Sequence, residues 1–338
     1  MDKEQIFSLY SECSQCSRKC KVNRADGKKG FCGEDSALRA ALACLHFGEE
    51  PLITVFGGSG TIFFTGCTLR CSFCQNYQIS QEGMGKILCE EEFVKICLKL
   101  QELGAENINL VTGSHNIPLI AQYLKSAKNS GLEIPVAWNS SAYESVESLE
   151  LLRGLVDIWL PDFKTLNPEM GKNLFDAEDY PETAKKAVLW MMENSPVKIV
   201  DYKKNGETRE KMISGVIIRH LFLPGRFDDT VIALDWLKKN ADKKACISLM
   251  SQYTPVPFKC DEKEMQWRKK SLACFENRLV NSEEEADIKD IIEAYDFDYL
   301  FYQELSDDTS WLPDFEREQP FTNALSKSVW HWKSGFVC

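Results

Sequence analysis

From residue 60 onward the chain repeats one phrase: a short apolar, β-branched run, then an amphipathic helical stretch. The runs are GTIFFTG (60–66), NINLVTG (107–113), IPVAWNS (134–140), VDIWLPDFK (156–164), GVIIRHLFLPG (215–225) and ACISLMSQY (245–253). Helical periods fall between them at about 90–103, stopped by Gly104, and at 117–130, stopped by Gly131. VESLELL is a shorter one, another lies at about 181–194, and DDTVIALDWLKKN places acids at its start and lysines at its end, as the helix dipole favours. VKIVDYKKNGETREK (197–211) reads as a polar excursion. Strand and helix in alternation mean a parallel sheet. Six such units, not eight, predict an α/β fold: a partial (β/α)6 TIM-like barrel, open on one side.

Chemistry in such barrels sits at the C-terminal ends of the strands. Polar candidates cluster there: Cys67 after the first strand, Thr112 and His115 after the second, Asn139 and Ser140 after the third. Asp162 and Lys164 follow the fourth, and Gln252 and Tyr253 the sixth. Residues 1–58 are rich in Cys, Lys and Gly, and lead into FGGSG. They are expected to form a Cys-rich metal-binding module, followed by the barrel at 59–258. Residues 259–338 are expected to be a C-terminal cap over the barrel's open edge, helical at first and then irregular and Trp-rich.

A formal net charge of -11 argues against a nucleic-acid partner. No run of about 18 apolar residues is present, so no membrane span is expected. The first residues lack the pattern of a signal peptide, and a cytoplasmic location is expected. Thiols stay reduced in that compartment, so clustered cysteines read as metal ligands. Seven of the fourteen cysteines lie in two tight groups, and most of the scattered seven read as small core residues.

CTLRCSFCQN holds Cys67, Cys71 and Cys74 at C-x3-C-x2-C. Thiolates select iron–sulfur or zinc. Three cysteines on a cluster of four irons leave one iron open for a substrate or cosubstrate. An open zinc site is the competitor, but zinc commonly takes His or carboxylate as well. The nearest His, His46, lies outside the loop. Upstream, CSQCSRKCKVNRADGKKGFCG places Cys13, Cys16, Cys20 and Cys32 at a spacing that closes a four-ligand site, zinc or a second iron–sulfur cluster. Cys44 and His46 are possible substitutes for a member. Arg219 interrupts an otherwise apolar strand, and a buried guanidinium needs a carboxylate partner. Arg219 and His220 have opposite parity, so one points into the barrel, and Arg219 is expected to be that one.

At Cys67, Cys71, Phe73 and Cys74 the sequence resembles the radical S-adenosylmethionine (SAM) superfamily, whose signature is C-x3-C-x-aromatic-C. CQNY, with Asn76, resembles the C-x-N of the pyruvate formate-lyase activating enzymes. GSGTIFFTGC, LQELGAENINLVT, LPDFK and IRHLFLPG resemble an uncharacterised offshoot of that branch, over about residues 13–258.

The resemblance implies a [4Fe-4S] cluster on the three cysteines, with SAM chelating the open iron. It implies reductive cleavage to a 5′-deoxyadenosyl radical that abstracts hydrogen. Phe73 would lie near the adenine. Asp162 and Lys164 match an aspartate–any–lysine motif, Arg219 an arginine of the fifth strand, and Tyr253 a polar SAM contact. The family's GGE is replaced by VTGSHN, where Thr112, Gly113 and Ser114 keep backbone groups but no glutamate. Its D-T-N-G reads W-N-S-S, which keeps Asn139 and loses the aspartate. The implied Arg219 partner is Asp162 or the SAM carboxylate.

The implied substrate is a protein glycine, as in glycyl radical enzyme activation, or alternatively a small metabolite. A remoter reading is a non-catalytic zinc scaffold. Flavodoxin or ferredoxin would be the electron donor.

Overall fold

The structure, a computed structural model, describes residues 3–304 and 311–338. Ser310, at the head of the aromatic tail stretch, and Met1 and Asp2 of the N-terminal reading lie outside the described residues.

After helix α1 (Lys3–Ser11), strand β1 (Arg39–His46) runs antiparallel to β2 (Ser59–Phe64) and to the short β3 (Lys86–Ile87). The remaining large strands follow one direction: β4 (Ile108–Val111), β5 (Val136–Ser140) and β6 (Ile158–Pro161). β7 (Lys198–Lys204) forms an antiparallel hairpin with β8 (Glu207–Leu221), and β8 lies parallel to β6 and β9 (Cys246–Met250). β10 (Leu300–Gln303) adds a further parallel strand beside β9. β11 (Ser326–His331) and β12 (Gly335–Phe336) extend the opposite edge beyond β1. The path across the sheet is β10-β9-β8-β6-β5-β4-β2-β1-β11-β12. All six expected parallel strands are present in a parallel-rich sheet that is left open.

The expected polar excursion is the β7–β8 hairpin. Its turn, Asn205–Gly206, has positive φ at both residues (52° and 84°), which the twist of a two-residue hairpin loop favours. The first 58 residues contribute β1 to the sheet. The tail supplies a strand to each edge of the sheet in addition to its helices.

Helices form where the acid-led amphipathic runs predict. Besides the single-turn α2 (Tyr77–Ser80), α3 (Glu90–Glu102) opens on three glutamates and buries Phe93, Ile96, Cys97 and Leu100, one face of a 3.6-residue period. α4 (Ile117–Asn129), α5 (Val146–Glu150), α6 (Pro168–Phe175), α7 (Tyr180–Asn194) and α8 (Phe227–Asn240) continue the winding. α9 (Glu262–Leu272) and α10 (Ser282–Tyr295) lead to β10, and a reciprocal Asn281–Glu284 capping box starts α10.

Side-chain alternation separates two faces. Ile62, Phe64, Leu110, Trp138, Val216 and Ile218 face the helices in the main core. Ala137, Ile158, Leu160 and Ile217 face inward and pack with Leu52 and Ile53 of the loop between β1 and β2. That loop is tied in place. The Glu106 carboxylate accepts N–H bonds from Val55, Phe56 and Gly57, and Asn107 donates to the Ile53 carbonyl. Met212 N–H binds the Leu52 carbonyl from β8. Among the described residues no helix is long and apolar enough to cross a membrane.

Candidate active site

The chain leaves β2 through Gly66, which sits at φ 89°. A Cβ there would come within 2.9 Å of the Cys32 carbonyl oxygen and 2.5 Å of Glu34 Cγ. Glycine therefore lets the N-terminal segment press directly on the cysteine loop, where Cys67 N–H donates to the Cys32 carbonyl at 3.3 Å. Ser72 N–H binds the Leu174 carbonyl, and Gln81 Nε2 binds that of Cys71. The loop is thus held by three separate parts of the chain.

The three thiols share one electrostatic neighbourhood. Burial pushes Cys71 up; Lys164 pulls it down, while Cys67 and Cys74 push it up further. Burial and Cys67 raise Cys74, opposed by the Ser80 hydroxyl, the Asn76 backbone amide and Lys164. Asn76 therefore acts on the loop through its main chain.

Behind the thiols lies a charged network. Lys164 Nζ donates to Asp162 at 2.8 Å. Arg219 meets the other Asp162 oxygen through Nε at 2.8 Å and Nη2 at 2.7 Å, and Nη2 also donates to Asn139 Oδ1. Burial alone would raise the Asp162 carboxyl, but Arg219 and Lys164 bring it below its ordinary value. Arg219 faces inward as parity predicts, and His220 faces outward to the Phe163 carbonyl and Thr230.

Phe73 contacts the edges of Phe175, Tyr253 and Phe275, with ring centroids about 6 Å apart. Tyr253 is buried beside it and donates to Asn277. Phe275 and Asn277 also line an open groove of about 680 Å³ with Phe258, Met265 and Arg268.

After β4, Thr112 takes a left-handed φ of 62° and donates its N–H to the Asn139 carbonyl. A Cβ at Gly113 would lie 2.7 Å from the Trp138 ring and from Ile120, so a side chain there would force these neighbours to shift. Ser114 Oγ donates to Glu144 at 2.6 Å, and Trp138 Nε1 donates to the same oxygen. Glu144 was not singled out by the sequence. It is a buried carboxylate beside the position where the family's glutamate is missing, and its second oxygen has no hydrogen-bond partner.

The four upstream cysteines share one electrostatic neighbourhood. Cys20 and Cys32 sulfurs lie 3.2 and 3.6 Å from the point where a Gly30 side chain would begin. Burial pushes Cys16 up to about 12; a backbone bond near Arg18 opposes this, and Cys32, Cys13 and Cys20 add to it. Arg24, almost fully buried, places Nη1 3.5 Å from Cys13 Sγ, and its other bonds go to backbone carbonyls. Cys44 and His46 lie elsewhere on β1, His46 beside Glu49 and Phe321. Among the described residues no three His, Cys, Asp or Glu side chains are already drawn to ion-holding distance. Of the seven scattered cysteines three, Cys44, Cys97 and Cys246, are buried, fewer than expected; Cys260 and Cys274 are half-buried, and Cys89 and Cys338 are exposed.

Residues 61–237, about half of the chain, match the Radical SAM superfamily. The chain belongs to the radical SAM superfamily. Its members are enzymes that use a [4Fe-4S] cluster and SAM, and the donor set fits both: three thiols on one loop, with a lysine, an arginine and an aspartate beside them.

This radical SAM protein is 30% identical to the uncharacterised protein MJ0674 of Methanocaldococcus jannaschii over 302 residues, 87% of this chain and 78% of that one. It is 25% identical to the pyruvate formate-lyase-activating enzyme of Listeria monocytogenes over 177 residues. That match covers 50% of this chain and 63% of the Listeria enzyme, less than two thirds of its length. Among solved structures, methylornithine synthase matches with a TM-score of 0.42 at 15% identity, over 91% of this chain and 80% of that one. Streptococcus suis SuiB bound to its precursor peptide matches with a TM-score of 0.44 at 14% identity, over 70% and 46%.

Proposed function

We propose that Cys67, Cys71 and Cys74 hold a [4Fe-4S] cluster whose open iron takes SAM, and that the enzyme removes a hydrogen atom from a protein glycine. The observation that carries this reading is that Cys71 and Cys74, neighbours of Cys67 on one loop, both lie within the electrostatic reach of Lys164, which Asp162 joins to Arg219. When bound, the cluster supplies the electron that splits SAM into methionine and the 5′-deoxyadenosyl radical. Lys164 and Arg219 offer positive charge to the SAM carboxylate, and Asp162 fixes their positions. The backbone at Thr112, Gly113 and Ser114, together with Asn139, would offer polar groups to the SAM amino group. Phe73 and Tyr253, in edge contact with each other, would give the adenine an aromatic wall, and Asn76 supports Cys74 through its backbone. Similarity to an enzyme named for activating pyruvate formate-lyase supports the glycine substrate. Flavodoxin or ferredoxin is the expected reductant, and the cytoplasm the expected compartment.

Cys13, Cys16, Cys20 and Cys32 hold a second centre, zinc or iron–sulfur. Arg24 supports this, because a buried guanidinium beside thiols and carbonyls suits an anionic thiolate centre. The test is anaerobic reconstitution, dithionite reduction and addition of SAM. About four irons per chain, or about eight with a second cluster, are expected, along with an electron paramagnetic resonance signal that SAM shifts. 5′-Deoxyadenosine should form, and should vanish in Cys71→Ala. Zinc without iron, and no SAM cleavage, would overturn the reading.

A further inference from the structure

The loop that enters the barrel between β1 and β2 carries two adjacent acids inward. Glu49 and Glu50 are each about nine-tenths buried. Glu49 Oε2 stands 3.8 Å from Arg219 Nη1, too far for a hydrogen bond. Glu50 Oε2 is buried with no hydrogen-bond partner. Arg219 directs its hydrogen bonds to Asp162 and Asn139, and Lys164 directs its own to Asp162. Three carboxylates, Glu49, Glu50 and Asp162, thus share two cations, and both cations point toward the same one of the three.

A separate observation comes from β4. Asn109 is fully buried, and neither its amide oxygen nor its amide nitrogen has a partner. The register places it inward, opposite Thr61 on β2 and Ala137 on β5. Ala137 shares one buried cluster with Leu52 and Ile53, which follow Glu49 and Glu50 on the loop. A buried amide left unpaired costs about 1–3 kcal/mol, and an uncompensated buried carboxylate costs more. The loop does not relieve this by swinging out, because Glu106, Asn107 and Met212 tie it at both sides.

We infer that Glu49, Glu50 and Asn109 form a substrate subsite for a cationic group, an ammonium or a guanidinium, at the inner floor of the barrel. Such a group supplies the missing positive charge, donates N–H bonds to Glu49 and Glu50, and donates to the Asn109 carbonyl oxygen. It would orient the substrate with its reacting carbon toward the cysteine loop at the strand ends. The group belongs either to a free amine or to a lysine or arginine side chain of a protein substrate. The inference rests on the radical SAM reading for what happens at the other end of the substrate.

The test is isothermal titration calorimetry on the anaerobically reconstituted enzyme with SAM present. The probes are agmatine, putrescine, the tripeptide Gly-Lys-Gly and the uncharged 1-pentanol. Agmatine or putrescine binding points to a free amine, and the tripeptide binding more tightly points to a protein side chain. Glu50→Gln and Glu49→Gln should each weaken the cationic probe at least about tenfold, or about 1.4 kcal/mol. Asn109→Ala weakens it as well, which keeps the test open if one acid variant folds poorly. Failure of all three cations to bind wild type overturns the inference, as does equal binding by 1-pentanol or unchanged affinity in the variants. Iron content and 5′-deoxyadenosine formed without probe are read on the same wild-type sample, so a failed radical reading shows separately.

Discussion

Asp162 is the residue on which the site's charges balance. It accepts from Lys164 through one oxygen and from Arg219 through the other. Asp162→Asn removes the one carboxylate that both cations bond directly and should destabilise the fold by about 3 kcal/mol in urea denaturation. The pH dependence has a definite sign. Burial raises this carboxyl, but Arg219 and Lys164 hold it below its ordinary value in the folded chain. The pairing therefore contributes fully above the unfolded carboxyl pKa of about 3.9, and is lost as pH falls through the lower folded value. Stability curves measured from pH 7 downward should fall less steeply in Asp162→Asn than in wild type. Glu49 and Glu50, which burial raises, act in the opposite direction, so the difference between the two curves is the informative quantity.

At the scale of elements, the decisive joint is the one between the N-terminal cysteines and the loop after β2. Gly66→Ala places a methyl group against the Cys32 carbonyl and Glu34 at a left-handed backbone position. It should cost about 2 kcal/mol and lower the iron retained after desalting, while strand content by circular dichroism stays near wild type. A wild-type iron content in that variant would show that the joint is not needed for the loop's shape.

The same scale shows what the sequence made legible. β2, β4, β5, β6, β8 and β9 were readable because each is an apolar run bounded by turn residues or a helix stop. The cysteine spacing and the inward Arg219 were readable for the same local reasons, whereas the sequence left Arg219's partner open between Asp162 and the SAM carboxylate. β1 was not, because RAALACLH is mostly small residues with weak strand preference, and its place depends on β2 and β11. β10 and β11 owe their state to partners far away in sequence. The β7–β8 hairpin did carry a signal, Asn-Gly between alternating residues, that outweighs the polarity around it. Glu49, Glu50, Asn109 and Glu144 were hidden, since what matters about them is burial without a partner, which no spacing encodes. Two adjacent acids ahead of the apolar PLITVF run were the available hint for the first pair.

For the whole molecule, the tail is built into the sheet. Trp330 is fully buried and donates to Glu92 on α3, and β11 pairs with β1 over five residues. Removing residues 326–338 should therefore bare the β1 edge and produce an aggregating chain, detectable by light scattering at room temperature. A monodisperse truncated protein that keeps its iron would show instead that the tail acts as a detachable cover.

The pairing of β11 with β1 also bears on how the enzyme is made. Residues 39–46 leave the ribosome long before residues 326–331 exist to pair with them, so one sheet edge stays bare through most of synthesis. Nascent chains held short of β11 should engage chaperones more strongly than chains released just beyond it. A cluster seated on the loop after β2, as proposed above, would then be expected in the finished polypeptide rather than in the growing one.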